Sequence, residues 1–85
     1  MKYLIQVSKS AFKELELVPK THYIKLVKAI DALGDEPRPT GCKKLKNRDH
    51  QYRIRVGVYR VVYSVYDNQL LIDIIRVRHR KDVYD

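Results

Sequence analysis

The first 34 residues combine a strand pattern with two helical patterns of hydrophobic side chains. Residues 3–7 are rich in β-forming side chains and predict a short first strand. Ser8 or Ser10 is a suitable N-cap for a first helix, which Pro19 would end. The apolar stripe of this helix consists of Ala11, Phe12 and Leu15.

A second helix follows the short connection at residues 18–20. Thr21 is expected to cap its start, and Gly34 to take the left-handed C′ position after its end. Its predicted apolar stripe consists of Ile24, Val27, Ile30 and Leu33. Because the connection is so short, the two helices should form an antiparallel hairpin. Residues 35–41 contain two prolines and a glycine and predict a loop.

In the second half of the chain the hydrophobic period changes to two. Residues 52–56 alternate strictly, 58–66 are a long run of β-branched and aromatic side chains, and 70–77 predict a third strand. The turns between them fall at Gly57 and at 67–69. Three successive strands with short turns predict an antiparallel meander.

The order of these elements predicts the fold class. Helices come first and strands afterwards, without βαβ alternation, which favours an α+β domain. The N-terminal strand and the two-helix hairpin should pack on one face of a mainly antiparallel twisted sheet. A length of 85 residues allows one domain over 1–85 and little room for a second module.

Charge narrows the class of partner. The chain carries 18 Lys and Arg against 10 Asp and Glu, a formal charge of +8, which favours a polyanion such as nucleic acid. Residues 1–40 hold 7 basic and 5 acidic side chains, whereas 41–85 hold 11 and 5. Arginine dominates the second half, and its planar fork suits phosphate.

The single cysteine and the N-terminus bear on location. Cys42 cannot form an internal disulfide, and we interpret it as a free cytosolic thiol. The apolar N-terminal stretch turns polar at Ser8, too early for a signal sequence or a membrane span. The sequence predicts a soluble cytoplasmic protein that does not bind membranes.

Cationic side chains recur on the predicted strands at a spacing of two. Alternation places Arg53 and Arg55 on one face of their strand, and Arg60 follows in the next, mostly apolar strand. His79 lies within a third series, which consists of Arg76, Arg78 and Arg80. If the strands are neighbours, these guanidinium groups converge on one surface that suits a phosphate.

Each of these features also has a plain structural interpretation. Arg53 and Arg55 are more often typical of a solvated strand face, and a lone histidine such as His79 is more often an uninvolved surface residue. A further run of basic residues is either solubilising or a non-specific phosphate contact, and it comprises Lys43, Lys44, Lys46 and Arg48. The pattern favours a functional site only if the arginines of the separate strands converge on one surface.

Three segments resemble the RelE branch of the RelE/ParE toxin superfamily. They are 52–57 (YRIRVG), 59–63 (YRVVY) and 77–84 (VRHRKDVY), and the resemblance extends over the whole chain. It implies a ribosome-dependent endoribonuclease, an mRNA interferase that cuts messenger RNA in the ribosomal A site. It also implies a cognate antitoxin, the ribosome with its A-site mRNA as further partners, and operator DNA contacted through the antitoxin.

The resemblance also implies roles for individual residues. Arg53 and Arg55 match two RNA-contacting positions that are lysines in the best-known member, and arginine is a poor general base there. Arg60 matches the arginine that stabilises the pentacovalent phosphorane, and Arg80 the one near the leaving oxygen. The remaining candidates are a base-stacking tyrosine and an acid–base histidine, which correspond to Tyr84 and His79. Arg76, Arg78 and the run at 43–48 are expected to bind RNA.

We expect the reaction to need neither metal nor cofactor, because the carboxylates of the second half are scattered. They are Asp49, Asp67, Asp73, Asp82 and Asp85. Two other classes of function stay open. One is a ParE-like inhibitor of DNA gyrase without nuclease chemistry, and the other is a passive basic RNA-binding domain.

Overall fold

The computed structural model describes residues 2–82 and the side chains of 2–81. Its elements, in chain order, are β1 (Leu4–Val7), α1 (Lys9–Glu16), α2 (Lys20–Ala32), β2 (Lys43–Lys44), β3 (Gln51–Val56), β4 (Tyr59–Tyr66) and β5 (Leu71–His79). Single turns of 3₁₀ helix follow β4 at Asp67–Gln69 and β5 at Arg80–Asp82.

The five strands form one sheet in the order β1-β5-β4-β3-β2. β1 runs parallel to β5, and the other neighbours are antiparallel. α1 packs on β5 and α2 packs on β3. The predicted α+β class, the two successive helices and the three-strand meander are therefore confirmed. The two-residue strand β2 was not predicted, and it pairs Lys43 with Arg53 at the sheet edge.

The starts of the two helices differ from each other. Ser8 caps α1 as predicted, and its Oγ accepts a hydrogen bond of 3.1 Å from the Ala11 N–H. The prediction for α2 was wrong, because the helix begins at Lys20 with Pro19 at the N-cap and Thr21 inside the first turn. Proline has no N–H to satisfy and its fixed φ suits a helix start.

Gly34 has a different role from the one predicted. It does not adopt a positive φ; instead, a Cβ there would lie 3.2 Å from the carbonyl oxygens of Tyr3 and Asp31. The Tyr3 N–H donates a 2.8 Å hydrogen bond to the Gly34 carbonyl. The glycine thus allows the start of β1 to pass close to the end of α2.

The core lies between the helices and one face of the sheet. Its most deeply buried side chains are Ala11, Leu26, Leu33, Val61, Tyr63, Val65, Ile72 and Ile74. The predicted stripes were wrong in part, because Phe12, Ile24 and Val27 are 57%, 47% and 41% exposed. The buried residues are instead Ala11 and Leu15 in α1 and Leu26 and Ile30 in α2.

A β-bulge at Ile75 sets which side chains of β5 face the helices. Tyr63 lies opposite Ile74 and Val62 lies opposite Arg76, so Ile75 has no residue opposite it in β4. Ile72 and Ile74 are buried before the bulge and Val77 is buried after it. Without the extra residue, strict alternation would send Arg76 into the core, so the bulge switches the parity of the strand.

Candidate functional site

Three arginines lie side by side across the face of the sheet that is turned away from the helices. Arg55 of β3 is directly opposite Arg60 of β4, and Arg60 is directly opposite Arg78 of β5. Directly opposed residues share a face, with Cα atoms about 4.5–5.5 Å apart. The sheet thus brings together three cations that lie far apart in the sequence, here termed the arginine row.

A second basic row runs beside the first. It contains Lys43, Arg53, Val62 and Arg76, taken from four neighbouring strands. Next to it, a groove of about 500 Å³ is lined by Lys43, Lys44, Leu45, Lys46, Arg48, Arg53 and Arg55. The sequence run 43–48 and the strand arginines therefore form one continuous basic surface, which a solubilising run would not require.

A small pocket lies at one end of the arginine row. It measures about 130 Å³ and is lined by Arg55, Arg60 and Arg80 together with the turn at residues 57–59. Gly57 has a φ of +61°, the left-handed value that the tight β3–β4 turn demands. The Arg80 N–H donates a 2.7 Å hydrogen bond to the Val58 carbonyl, which places Arg80 beside this turn.

The dimensions and charge of this pocket suit an anion. Its volume corresponds to about four water molecules in the liquid. Like charges directly opposite each other in a sheet are destabilising, so a bound anion relieves a repulsion built into the strands. Three arginines that line a cavity of this size are suited to supply guanidinium groups to one phosphate.

Arg53 differs from the other basic residues of the face in its burial. It is only 8% exposed, whereas Arg55, two residues later, is exposed. The reason is the sheet itself: Arg53 has Lys43 on one side and Val62 on the other, and β2 ends before it reaches Arg55. A fully solvated strand face, the plain interpretation of this pair, does not describe Arg53.

His79 is not brought together with the arginine row. It pairs with Tyr59, whose buried ring faces the helices, and the two rings meet edge to face at 5.3 Å. The His79 Nδ1 accepts a hydrogen bond of 3.2 Å from the Lys81 N–H. The ring therefore lies on the opposite face of the sheet from Arg60 and Arg78. Alternation along β5 already separates His79 from Arg78, so their proximity in the sequence did not indicate a shared face.

The loop after α2 is held by a cluster around Asp67. The Arg38 guanidinium binds both carboxylate oxygens of Asp67, at 2.6 and 3.2 Å, and the Tyr3 hydroxyl donates at 2.6 Å. These donors, Arg38 first, hold the pKa of the Asp67 carboxyl below its ordinary value of 3.8. The Arg38 Nε also donates to the Tyr52 hydroxyl, so the loop is tied to β3.

One predicted site residue falls beyond the part of the chain that the structure describes. Tyr84, the predicted base-stacking residue, lies outside the described residues. Within residues 2–82, no group of three or more His, Cys, Asp or Glu side chains is arranged to hold a metal ion. Over the same residues no helix is long and apolar enough to cross a membrane.

Comparison with known proteins shows the family of the chain. The model of the ParE toxin of type II toxin–antitoxin systems matches residues 5–84. The chain is 31% identical to the protein named RelE1 of Methanocaldococcus jannaschii, over 99% of this chain and 97% of that protein.

Solved structures show the same fold. A chain of the archaeal RelE–RelB complex from Pyrococcus horikoshii superposes with a TM-score of 0.85 and 33% identity, covering 98% of this chain and 100% of that one. The toxin–antitoxin complex RelBE2 from Mycobacterium tuberculosis gives 0.82 and 27%, covering 94% and 100%. The chain therefore belongs to the RelE/ParE superfamily of type II toxin–antitoxin toxins, as a RelE-like member.

Proposed function

We propose that this toxin is a ribosome-dependent endoribonuclease that cleaves mRNA in the A site and so inhibits translation. One observation carries the proposal: Arg60 lies between Arg55 and Arg78 in the arginine row and lines, with Arg80, a pocket of phosphate size. Cations held in advance around a developing phosphorane are the principal means by which such a site accelerates cleavage.

The reaction is a transesterification within the RNA. The 2′-oxygen of one ribose attacks the adjacent phosphorus, the new O2′–P bond forms, and the P–O5′ bond breaks. The products are a 2′,3′-cyclic phosphate and a 5′-hydroxyl; the 2′-hydroxyl proton leaves and the departing oxygen gains one. Arg60 stabilises the charge on the phosphorane, and Arg80 stabilises the departing oxygen.

The ribosome contributes orientation that the toxin lacks. A guanidinium stays protonated at neutral pH, so the arginines offset the negative charge of the phosphorane but do not accept the 2′-hydroxyl proton. His79 stays a candidate for proton transfer only if its ring leaves the Tyr59 contact. Holding the attacking oxygen in line with the scissile bond can itself supply several orders of magnitude in rate. We therefore expect free mRNA to be cut far more slowly than mRNA on the ribosome.

The basic groove binds the flanking RNA in this proposal. Its lysines and Arg48 lie beside Arg53 and Arg55, so a strand that enters the pocket continues along the groove. Such contacts are made mainly to phosphates and weaken steeply with salt. Arg53 and Arg76 contribute to the same surface.

A cognate antitoxin is the proposed protein partner. Similar chains are found in RelE–RelB complexes from two archaea and from Mycobacterium tuberculosis. This chain exposes apolar side chains on its helices, which a partner would cover: Phe12, Leu17, Ile24 and Val27. We expect the antitoxin to cover the helices and to neutralise the arginine row, and the pair to contact operator DNA through the antitoxin.

Inhibition of DNA gyrase is the second candidate, because the matching family model carries the name ParE. The decisive experiment incubates the purified toxin with programmed ribosomes, with free mRNA and, separately, with gyrase in a supercoiling assay. We expect cleavage on the ribosome, 2′,3′-cyclic phosphate ends and unaffected gyrase. Intact mRNA with inhibited gyrase would reverse the assignment, and no effect in any arm would leave passive RNA binding.

A further inference from the structure

The carboxylate of Glu14 lies on the last turn of α1, against the arginine-bearing end of β5. Its Oε1 accepts a hydrogen bond of 2.9 Å from the Val77 N–H, and its Oε2 accepts one of 3.3 Å from Nε of Arg78. The same Oε2 is 3.7 Å from a terminal nitrogen of Arg76. The Glu14 side chain is 24% exposed and its contact with the Val77 N–H is partly buried, whereas the Arg76 and Arg78 side chains are 44% and 43% exposed.

The position of Glu14 follows from where β1 stops. β1 pairs with β5 only as far as Val7 opposite Ile74, which leaves the next backbone groups of β5 without a strand neighbour on that side. α1 takes over this edge: the Ser8 hydroxyl donates to the Ile75 carbonyl at 3.1 Å, and Glu14 accepts from the Val77 N–H. Two side chains of one helix thus bracket the bulge at Ile75.

The contacts of Ser8 and Glu14 with β5 also affect the arginine row. The bulge turns Arg76 and Arg78 away from the core, and Glu14 then binds the Nε side of the Arg78 guanidinium. Glu14 engages Nε, so the two terminal nitrogens of Arg78 can still donate a pair of parallel hydrogen bonds to a phosphate. A side chain fixed at Nε loses less rotamer freedom when the phosphate arrives.

We infer that Glu14 is a positioning residue of the proposed nuclease. It holds the bulged end of β5 and keeps Arg78 beside Arg60, where the two line a cavity of about 190 Å³ together with Val62 and Arg76 that can take an RNA phosphate. The inference rests on the proposed function for its effect on cleavage, although the contact itself does not. Displacing a phosphate-binding group by about 1 Å can slow a reaction about 100-fold. Glu14 therefore acts on the rate of the bound complex more than on RNA affinity.

The test compares Glu14→Ala and Glu14→Gln with the matched control Glu16→Gln, an exposed glutamate on the same helix. At saturating ribosome-bound mRNA, we expect Glu14→Ala to lower the single-turnover rate about 10- to 100-fold with little change in half-saturation. Glu14→Gln keeps an acceptor oxygen and should fall between. In an Arg78→Ala background, Glu14→Ala should change the rate by less than about threefold, because the two act together.

A second readout does not depend on activity. In ¹⁵N NMR spectra the Arg78 Nε–H should exchange with water about tenfold more slowly than that of the exposed Arg48, and Glu14→Ala should abolish the difference. If wild-type toxin does not cleave RNA, the proposed function fails while this arm still decides the positioning. Unchanged exchange in Glu14→Ala, or an undiminished effect on rate in the Arg78→Ala background, would overturn the inference.

Discussion

Replacing Arg55 by glutamine should make the fold more stable and the toxin less active. Arg55 is exposed and directly opposite Arg60, so the substitution removes one like-charge cross-strand pair. Such a pair costs about 0.2–1 kcal/mol. For a domain of this size that gain raises Tm by about 1–8 °C. The same arginine lines the pocket and the groove, so we expect cleavage on the ribosome to slow by about tenfold or more.

The assay is thermal and urea unfolding of both proteins at low and high salt. Because the repulsion acts between exposed charges, the gain should shrink by about half or more in 1 M salt, where the Debye length is about 3 Å. Lys2→Gln removes the same charge from an exposed position outside the sheet and controls for net charge. A destabilised Arg55→Gln variant, or a gain equal to that of Lys2→Gln and insensitive to salt, would refute the reasoning.

Three further predictions concern the scaffold of the site. Gly57→Ala should lower the free energy of unfolding by about 1–2 kcal/mol, and Gly57→Asn should lower it by less. The reason is the φ of +61°, since a Cβ at this position would meet no neighbouring atom; urea titrations of both variants measure the effect. Asp67→Asn should make the free energy of unfolding vary less with pH in the acid range, which a pH series of unfolding midpoints measures. The pKa of Asp67 in the folded protein lies below 3.8, so its contact with Arg38 stabilises the fold above that pH and is lost as the pH falls through the folded pKa. Tyr63→Phe removes the 2.7 Å hydrogen bond to the Pro37 carbonyl and should cost about 1 kcal/mol by the same titration, whereas an unchanged midpoint would mean that water replaces the hydroxyl.

The sequence was sufficient for the elements and the fold class because those depend on local period and turn chemistry. The meander followed from alternation at 52–56 and the turn at Gly57, and both are present. The buried faces of the helices were predicted only in part, since Ile24 and Val27 have helical spacing but lie outside the stripe that meets the sheet. Spacing identifies a helix, whereas tertiary contacts select which of its faces is buried.

The sequence predicted that arginines of neighbouring strands converge on one surface, and their function as a nuclease site stays a proposal. Arg55, Arg60 and Arg78 were all named from the sequence, and the strand register brings them into one row. The bulge was missed, although the adjacent pair Ile74 and Ile75 interrupts the alternation and was a readable signal. Grouping His79 with its arginine neighbours overlooked the alternation itself, because adjacent residues of a strand point to opposite faces. The bulge decides instead that Val77 faces the core while Arg76 and Arg78 face away from it.

The contribution of Glu14 could not be read from the chain at all. A glutamate on an amphipathic helix is ordinarily a solvated residue, and its contact with Val77 spans 63 positions. The Val77 N–H needs a side-chain acceptor because β1 ends before it, and Glu14 can supply one because α1 packs on β5. Long-range satisfaction of backbone groups is a property of the assembled sheet.

The most direct test of the arginine row is the single-turnover cleavage rate of ribosome-bound mRNA by wild-type toxin and by Arg60→Ala, with Lys2→Gln as the charge control. Arg60 lies at the centre of the row, so we predict a rate lower by about 10²–10³ in Arg60→Ala, with the fold retained by circular dichroism. Lys2→Gln should cleave like wild type. Equal rates in all three proteins would contradict a phosphate-stabilising role for the row.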